Sequence, residues 1–416
     1  MINKQLFNKT LINLSFVLLC FSLAGDLFIE SLPRKAFYTC FYLSLISALL
    51  STGWLDFLKN IKNNKGQLYL PAALLLLGVS KLIWSNIYSH DPNEDILNNY
   101  HQSGKMFIIS SFVYLIFVKN SQFITRSTLI FSAAFLIILS LISVLFGYKE
   151  FHNGTLRIKM LADAATTTAY IIIMQAVIAL YAVKHVIKNI KIRMALIFLL
   201  LISFSLLLIM TGTRSALIVY LIIMLVIFSS ERKLLNKNYV IMFTIAVAVI
   251  SGSMLYKNYS RIVDIKNDFV SLENKNDNTS IGARFTMLKA GLQVMKPTLF
   301  GQSVQQRLND ATAFITTTMP GSTLSLYSIK YHFHNEIIES LSLHGIFGGL
   351  TLLFFYISAL ASSIVIKENV NVCLLMLILS LILMGLTDVL MIQSNTSMII
   401  GISIILASQV KFNAKI

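Results

Sequence analysis

The sequence predicts an all-α, polytopic membrane protein, and three observations carry that prediction. Of its 416 residues 56% are hydrophobic and only 12% are charged, about half the charge fraction of an ordinary soluble domain. The apolar residues gather in continuous runs of about 20, the length a helix needs to cross the hydrocarbon layer. Basic residues return in alternate connections, as insertion into a bilayer requires.

About 12 spans satisfy the length rule, near 11–28, 36–56, 67–84, 104–119, 127–147, 164–183, 194–211, 214–229, 238–256, 342–366, 370–390 and 394–410. Almost nothing separates the seventh from the eighth, so they form a tight helical hairpin. With the N-terminus (Lys4, Lys9) inside, the inner connections hold Lys59, Lys62 and Lys65, then Lys119 and Arg126, then Lys184, Lys188, Lys191 and Arg193. Arg232, Lys233 and Lys237, then Lys367, and finally Lys411 and Lys415 at the C-terminus complete the set. Most outer connections are poorer in basic residues or acidic, as at Asp91, Glu94 and Asp95. Both termini are therefore expected on the cytoplasmic side.

The net charge of +16 is spread over inner connections, where lipid headgroups and insertion account for it. No basic-aromatic face for nucleic acid forms. The first run lacks a small-x-small cleavage site and reads as an uncleaved helix. Cys20, Cys40 and Cys373 lie inside apolar runs with no zinc spacing, so neither a metal centre nor a disulfide is expected.

The chain divides into residues 1–256 with nine spans, a large outer segment over 257–341, and residues 342–416 with the last three spans. The outer segment has Asn- and Lys-rich turns over 273–279, a helical pattern over 281–294, then Pro297 and a loop ending at Pro320-Gly321. It is too structured for a linker and reads as short helices lying over the membrane surface. No internal repeat points to an inverted-repeat transporter, and no Walker phosphate loop is present.

Reactive side chains concentrate at the outer side. Arg214, in Thr211-Gly212-Thr213-Arg214, opposes the positive-inside trend. A snorkelling helix-end arginine accounts for it; so does an anion clamp, since a guanidinium fork at a helix N-terminus suits phosphate oxygens. Ser280 is a plausible N-cap placing Arg284 in the first turns of a helix, where a cation opposes the dipole. A solvated surface charge is the alternative there.

His332, His334, Asn335, Glu336 and Glu339 stand where the outer segment re-enters the membrane. Neutral His334 is suited to take a proton from a sugar hydroxyl, with a carboxylate or amide fixing the ring. A histidine pair capping a helix, or a metal pair short of further ligands, are the other readings. Lys81, Asp26 and Asp388 fall near outer ends of spans, where ionisable residues are functional candidates by default. Two arginines and a histidine beside membrane helices suit a lipid-linked pyrophosphate whose tail stays in the bilayer.

The segments TGTRSALIV around Arg214, SIGARFTMLKAGL around Arg284, HFHNEIIESLSLHGIFGG from His332 and GLTDV around Asp388 resemble those of O-antigen ligases of enterobacterial type, within the wider ligase and polymerase superfamily. The spacing His334-Asn335, nine residues, then Gly345-x-x-Gly348 fits that family's signature. The resemblance covers essentially the whole chain and implies a GT-C-like membrane glycosyltransferase with a periplasmic active site. The implied donor is O-antigen on undecaprenyl pyrophosphate and the acceptor a sugar hydroxyl of lipid A-core. The reaction is implied to be inverting and metal-independent, with no cofactor. By motif, His334 is the base and Arg214 and Arg284 hold the donor pyrophosphate; His332, Asn335, Glu336, Asp388 and Lys81 are supporting residues. An O-antigen polymerase with the same donor, or a lipid-linked oligosaccharide transporter, are the competing functions. Residues 303–328 are a candidate acceptor-reading region.

Overall fold

The computed structural model describes residues 4–51, 53, 66–231, 277–364 and 370–409, with scattered helical positions between 241 and 271. The expected ninth span, 238–256, lies mostly outside the described residues, as do Lys59, Lys62, Lys65, Lys233, Lys237 and Lys367. The other eleven expected spans coincide with helices. These are α1 (Lys4–Gly25), α2 (Leu32–Leu50), α3 (Gly66–Ile87), α4 (Glu94–Asn120), α5 (Arg126–His152), α6 (Ala165–Val186), α7 (Ile190–Thr211) and α8 (Arg214–Glu231). Three short helices follow, α9 (Ser280–Gln293), α10 (Val304–Thr318) and α11 (Thr323–Ser328), before α12 (Glu336–Ile364), α13 (Val372–Gly385) and α14 (Ser394–Gln409). Among the described residues seven helices are long and apolar enough to cross a membrane, and α8 and α13 are shorter apolar ones. The protein is an all-α polytopic membrane protein.

Helix α6 is apolar all round, and nearly every residue from Thr168 to Tyr181 is buried. Such a helix belongs inside a bundle, and α6 packs against α5, α7, α8, α13 and α14. Helices α3 and α4 meet through glycines: a Cβ on Gly78 would sit 2.6 Å from the Gly104 carbonyl oxygen, and one on Gly104 2.7 Å from that of Gly78. With no hydrophobic drive between helices in lipid, such close backbone approach supplies the packing.

The α7–α8 hairpin forms as the sequence predicts. Gly212 caps α7 in the left-handed region (φ 63) and donates to the Leu208 and Ile209 carbonyls, while α8 begins at Arg214. The expected span 370–390 ends early, at Gly385, because the backbone N–H groups of Leu390 and Met391 go to the Glu336 carboxylate instead of a further helical turn. The N-cap of α9 is Thr279, not Ser280: the Thr279 hydroxyl accepts from Gly282 N, since its extended backbone (φ −124) turns the oxygen into the helix axis.

Helix α12 breaks at Gly345 (φ 69, ψ −159). Inside a membrane bundle the freed backbone groups need partners, and residues 298–302 supply them. Ile346 N donates to the Thr298 carbonyl (3.1 Å), Phe347 N to that of Leu299 (3.0 Å), and Gln302 N to that of Leu343 (3.1 Å). Trp84 Nε1 and Tyr88 Oη donate to the Gln302 and Gly301 carbonyls at 3.0 and 2.9 Å. Asp91 Oδ2 accepts from Gln305 N at the start of α10 (2.8 Å). The segment between α9 and α10 is thus stitched to the same end of the bundle that carries the α3–α4 and α13–α14 connections.

A Cβ at Gly345 would collide with the Gly301 nitrogen and the Thr298 oxygen. Gly345→Ala is expected to lower stability by about 3 kcal/mol or more, from strain plus overpacking. Gly154→Ala is also at positive φ (92) but has open space, so it should cost only about 1 kcal/mol. Thermal unfolding of the two variants in one detergent checks this ordering.

Candidate active site

The His332–Glu336 segment is a turn whose every residue is tied down. His334 has a positive φ of 52, unusual outside glycine, and its N–H donates to His332 Nδ1 (3.2 Å). Before it, Phe333 N donates to Glu339 Oε2 at 3.0 Å. After it, the Asn335 side chain caps α12 by accepting from Ile337 N and Ile338 N, both 3.1 Å. The two histidine rings meet edge to face, centroids 4.2 Å apart.

Asp388 stands opposite this turn. Its Oδ1 lies 3.1 Å from His334 Nδ1, 2.9 Å from Val389 N and 3.7 Å from His332 Nε2. Its Oδ2 accepts from the Tyr170 hydroxyl of α6 at 2.8 Å. Burial would raise this carboxyl, but the hydrogen bond from His334 and the charges of both histidines hold it far below the usual range. An ionised Asp388 therefore fixes the His334 ring through Nδ1. His334 Nε2 has no partner among the described residues.

The connection carrying Asp388 is clamped on both sides. Glu336 Oε2 accepts from Leu390 N (2.6 Å) and Met391 N (3.1 Å). Lys81 Nζ donates to the Met391 carbonyl and to Ser103 Oγ, and Ser103 also reaches that carbonyl (2.8 Å). Asn335 Nδ2 donates to the Leu386 carbonyl at 3.1 Å. Lys81, Asn335 and Glu336, expected as supporting residues, thus hold the connection that carries Asp388. Glu339 is buried too: Oε1 takes Arg307 Nη1 (2.6 Å) and the Tyr100 hydroxyl (2.9 Å).

Tyr170 has Arg284 and the residue after Arg214 as neighbours. Arg214 opens α8, and the next residue, Ser215, lies within reach of the Tyr170 hydroxyl; exposed Arg284 on α9 is near enough to act on it electrostatically. Asp26, by contrast, is pushed up to about 7 by burial, with Arg34 opposing, and joins none of the groups around Asp388.

Three residues were not apparent from the sequence. Tyr170 hides in an apolar run. Arg157 donates to the Thr211 carbonyl (2.8 Å) and Thr213 Oγ1 (3.2 Å), bracing the turn before Arg214. Its signal was the same as that of Arg214, a cation on an outer connection. Arg307 is buried against Glu339 and over the Phe333 ring (5.0 Å), in a segment that reads only as polar.

Fold and site together define a polytopic membrane protein with an oriented histidine at the mouth of a helix bundle. The family model described as O-antigen ligase matches residues 195–355, a stretch holding Arg214, Arg284 and the His332–Glu336 turn. The O-antigen ligase of Escherichia coli (strain K12) is 26% identical over 358 residues, 83% of this chain and 81% of that relative. Over most of its length the chain is similar to O-antigen ligases, and that likeness makes it a glycosyltransferase-type enzyme.

Burial lowers the His332 ring from its ordinary 6.5, with Asp388 opposing. The folded state then binds fewer protons at His332 than the unfolded chain, so its contribution is present above about pH 6.5 and lost as pH falls. Acidification from about pH 7.5 to 5.5 should lower the Tm, and His332→Asn should flatten that decline; an equal slope in both proteins contradicts this.

Proposed function

We propose that this glycosyltransferase moves O-antigen from undecaprenyl pyrophosphate to a sugar hydroxyl of lipid A-core, at the periplasmic face of the inner membrane. The observation that carries the mechanism is the His334–Asp388 contact, which engages Nδ1 and leaves Nε2 to accept a proton. His334 Nε2 takes the proton of the acceptor hydroxyl as its oxygen attacks the anomeric carbon. The bond from that carbon to the pyrophosphate oxygen breaks, and the pyrophosphate leaves with the electron pair. Single displacement inverts the anomeric centre. Arg214 and Arg284 neutralise the departing anion.

The distribution of basic residues and the family resemblance support the orientation, with both termini cytoplasmic. The donor, acceptor and metal independence rest on that resemblance and on the site's fit to them. One observation favours a second reading: the ligating atoms of His332, His334 and Asp388 lie within 4.8 Å of one another, a spacing that also suits a divalent cation. An ion there would replace the His334–Asp388 contact through Nδ1 that orients the ring.

Purified protein in nanodiscs, given lipid-linked O-antigen and lipid A-core, should form a chelator-resistant ladder on lipid A-core. His334→Ala should lower kcat by about 10²–10⁴-fold at unchanged donor binding. Loss of activity with chelator, restored by a defined cation, would establish the metal reading. Lengthening of the lipid-linked glycan in place of the ladder would mean a polymerase. Arg214→Ala and Arg284→Ala should raise the KM for donor.

A further inference from the structure

A cavity of about 350 Å³ opens beside Asp388, on the His332 side, large enough for a small ligand. Its walls come from α4, the residues leading into α6, the Asp388 connection and the start of α14. Asn99, Thr166, Thr167 and Gln393 line it, as do Tyr331 and His332. Among the described residues none supplies a hydrogen-bond partner to the side chains of those first four.

The character of this lining selects a ligand. It contains no lysine or arginine, and its carboxylates are Asp163 and Asp388. A pyrophosphate or phosphorylated sugar would meet negative charge there without a cation to offset it. Uncommitted amide and hydroxyl groups beside an aromatic ring instead suit a neutral sugar, whose hydroxyls both donate and accept. Arg214, Ser215 and Arg284 are absent from the lining, although Ser215 and Arg284 approach Tyr170. The cavity beside Tyr170 and Asp388 therefore offers amides, hydroxyls and carboxylates but no lysine or arginine, and the two arginines lie outside it.

Single displacement needs attacking oxygen and leaving group on opposite sides of the anomeric carbon. With the pyrophosphate on the arginine side, the cavity falls on the acceptor side. His334 does not line it, so its occupant is a neighbour of the reacting sugar. We propose that this cavity is a recognition subsite for a neutral sugar unit of the acceptor glycan, adjoining the unit that is glycosylated. This rests on the ligase reading for the identity of the acceptor.

The test uses full-length protein in nanodiscs with Asn99→Ala, Gln393→Ala and the double variant. Removing two hydrogen-bonding side chains should raise the KM for lipid A-core about tenfold in the double variant, with the KM for lipid-linked donor within about twofold of wild type. A rise in donor KM instead, or no change in either, overturns the subsite. A second arm measures binding of delipidated core oligosaccharide to His334→Ala protein, with and without the double substitution, so no turnover is needed. Binding lost in the double variant supports the subsite even if lipid A-core is never glycosylated, an outcome that would sink the ligase reading alone. Equal binding with and without the substitutions, or none at all, overturns the subsite.

Discussion

A carboxylate at the mouth of an apolar bundle must be satisfied on every lone pair, and the site is organised around meeting that demand at Asp388. Its partners come from three places far apart in sequence: the Tyr170 hydroxyl from α6, the His334 ring from the turn before α12, and the following amide of Val389. An unpartnered charge here would cost several kcal/mol. The need to satisfy it draws the His turn against the bundle, and the ring that results is fixed in orientation. The function of the histidine and the solvation of the aspartate are one arrangement.

Around that contact the structure spends many backbone hydrogen bonds holding two irregular segments in register. The break at Gly345 frees carbonyl and amide groups that residues 298–302 occupy, fixing α9 and α10 over the bundle end. Arg307, from α10, then pairs with Glu339, whose other oxygen holds the Phe333 amide beside His334. Glu336, Lys81 and Ser103 do the equivalent work for the Asp388 connection. The buried charges on these helices thus hold backbone in place around the histidine turn.

Helix positions were legible because hydrocarbon thickness fixes run length, and the near-absence of a gap between the seventh and eighth runs announced the α7–α8 turn. The early end of α13 was not, since nothing in Gly385-Leu-Thr-Asp-Val reveals that Glu336 takes the amides of the two residues that follow, Leu390 and Met391. His334, Arg214, Arg284 and Asp388 stood out because ionisable groups are rare in this chain. Tyr170 did not, since a tyrosine in an apolar helix is ordinary until its hydroxyl finds Asp388. Arg307 lies in a segment that reads only as polar, and its burial shows only in the pairing with Glu339. Glu336 and Glu339 were legible as a pair of carboxylates but not as backbone acceptors, because their partners lie on other elements.

The most direct measurement is a double-mutant cycle between His334 and Asp388, read as turnover of lipid-linked O-antigen onto lipid A-core. If Asp388 acts by orienting the histidine, Asp388→Asn should slow turnover in the wild-type background and have no further effect once His334 is alanine. Equal losses in both backgrounds would mean that Asp388 acts independently of His334, contradicting the account.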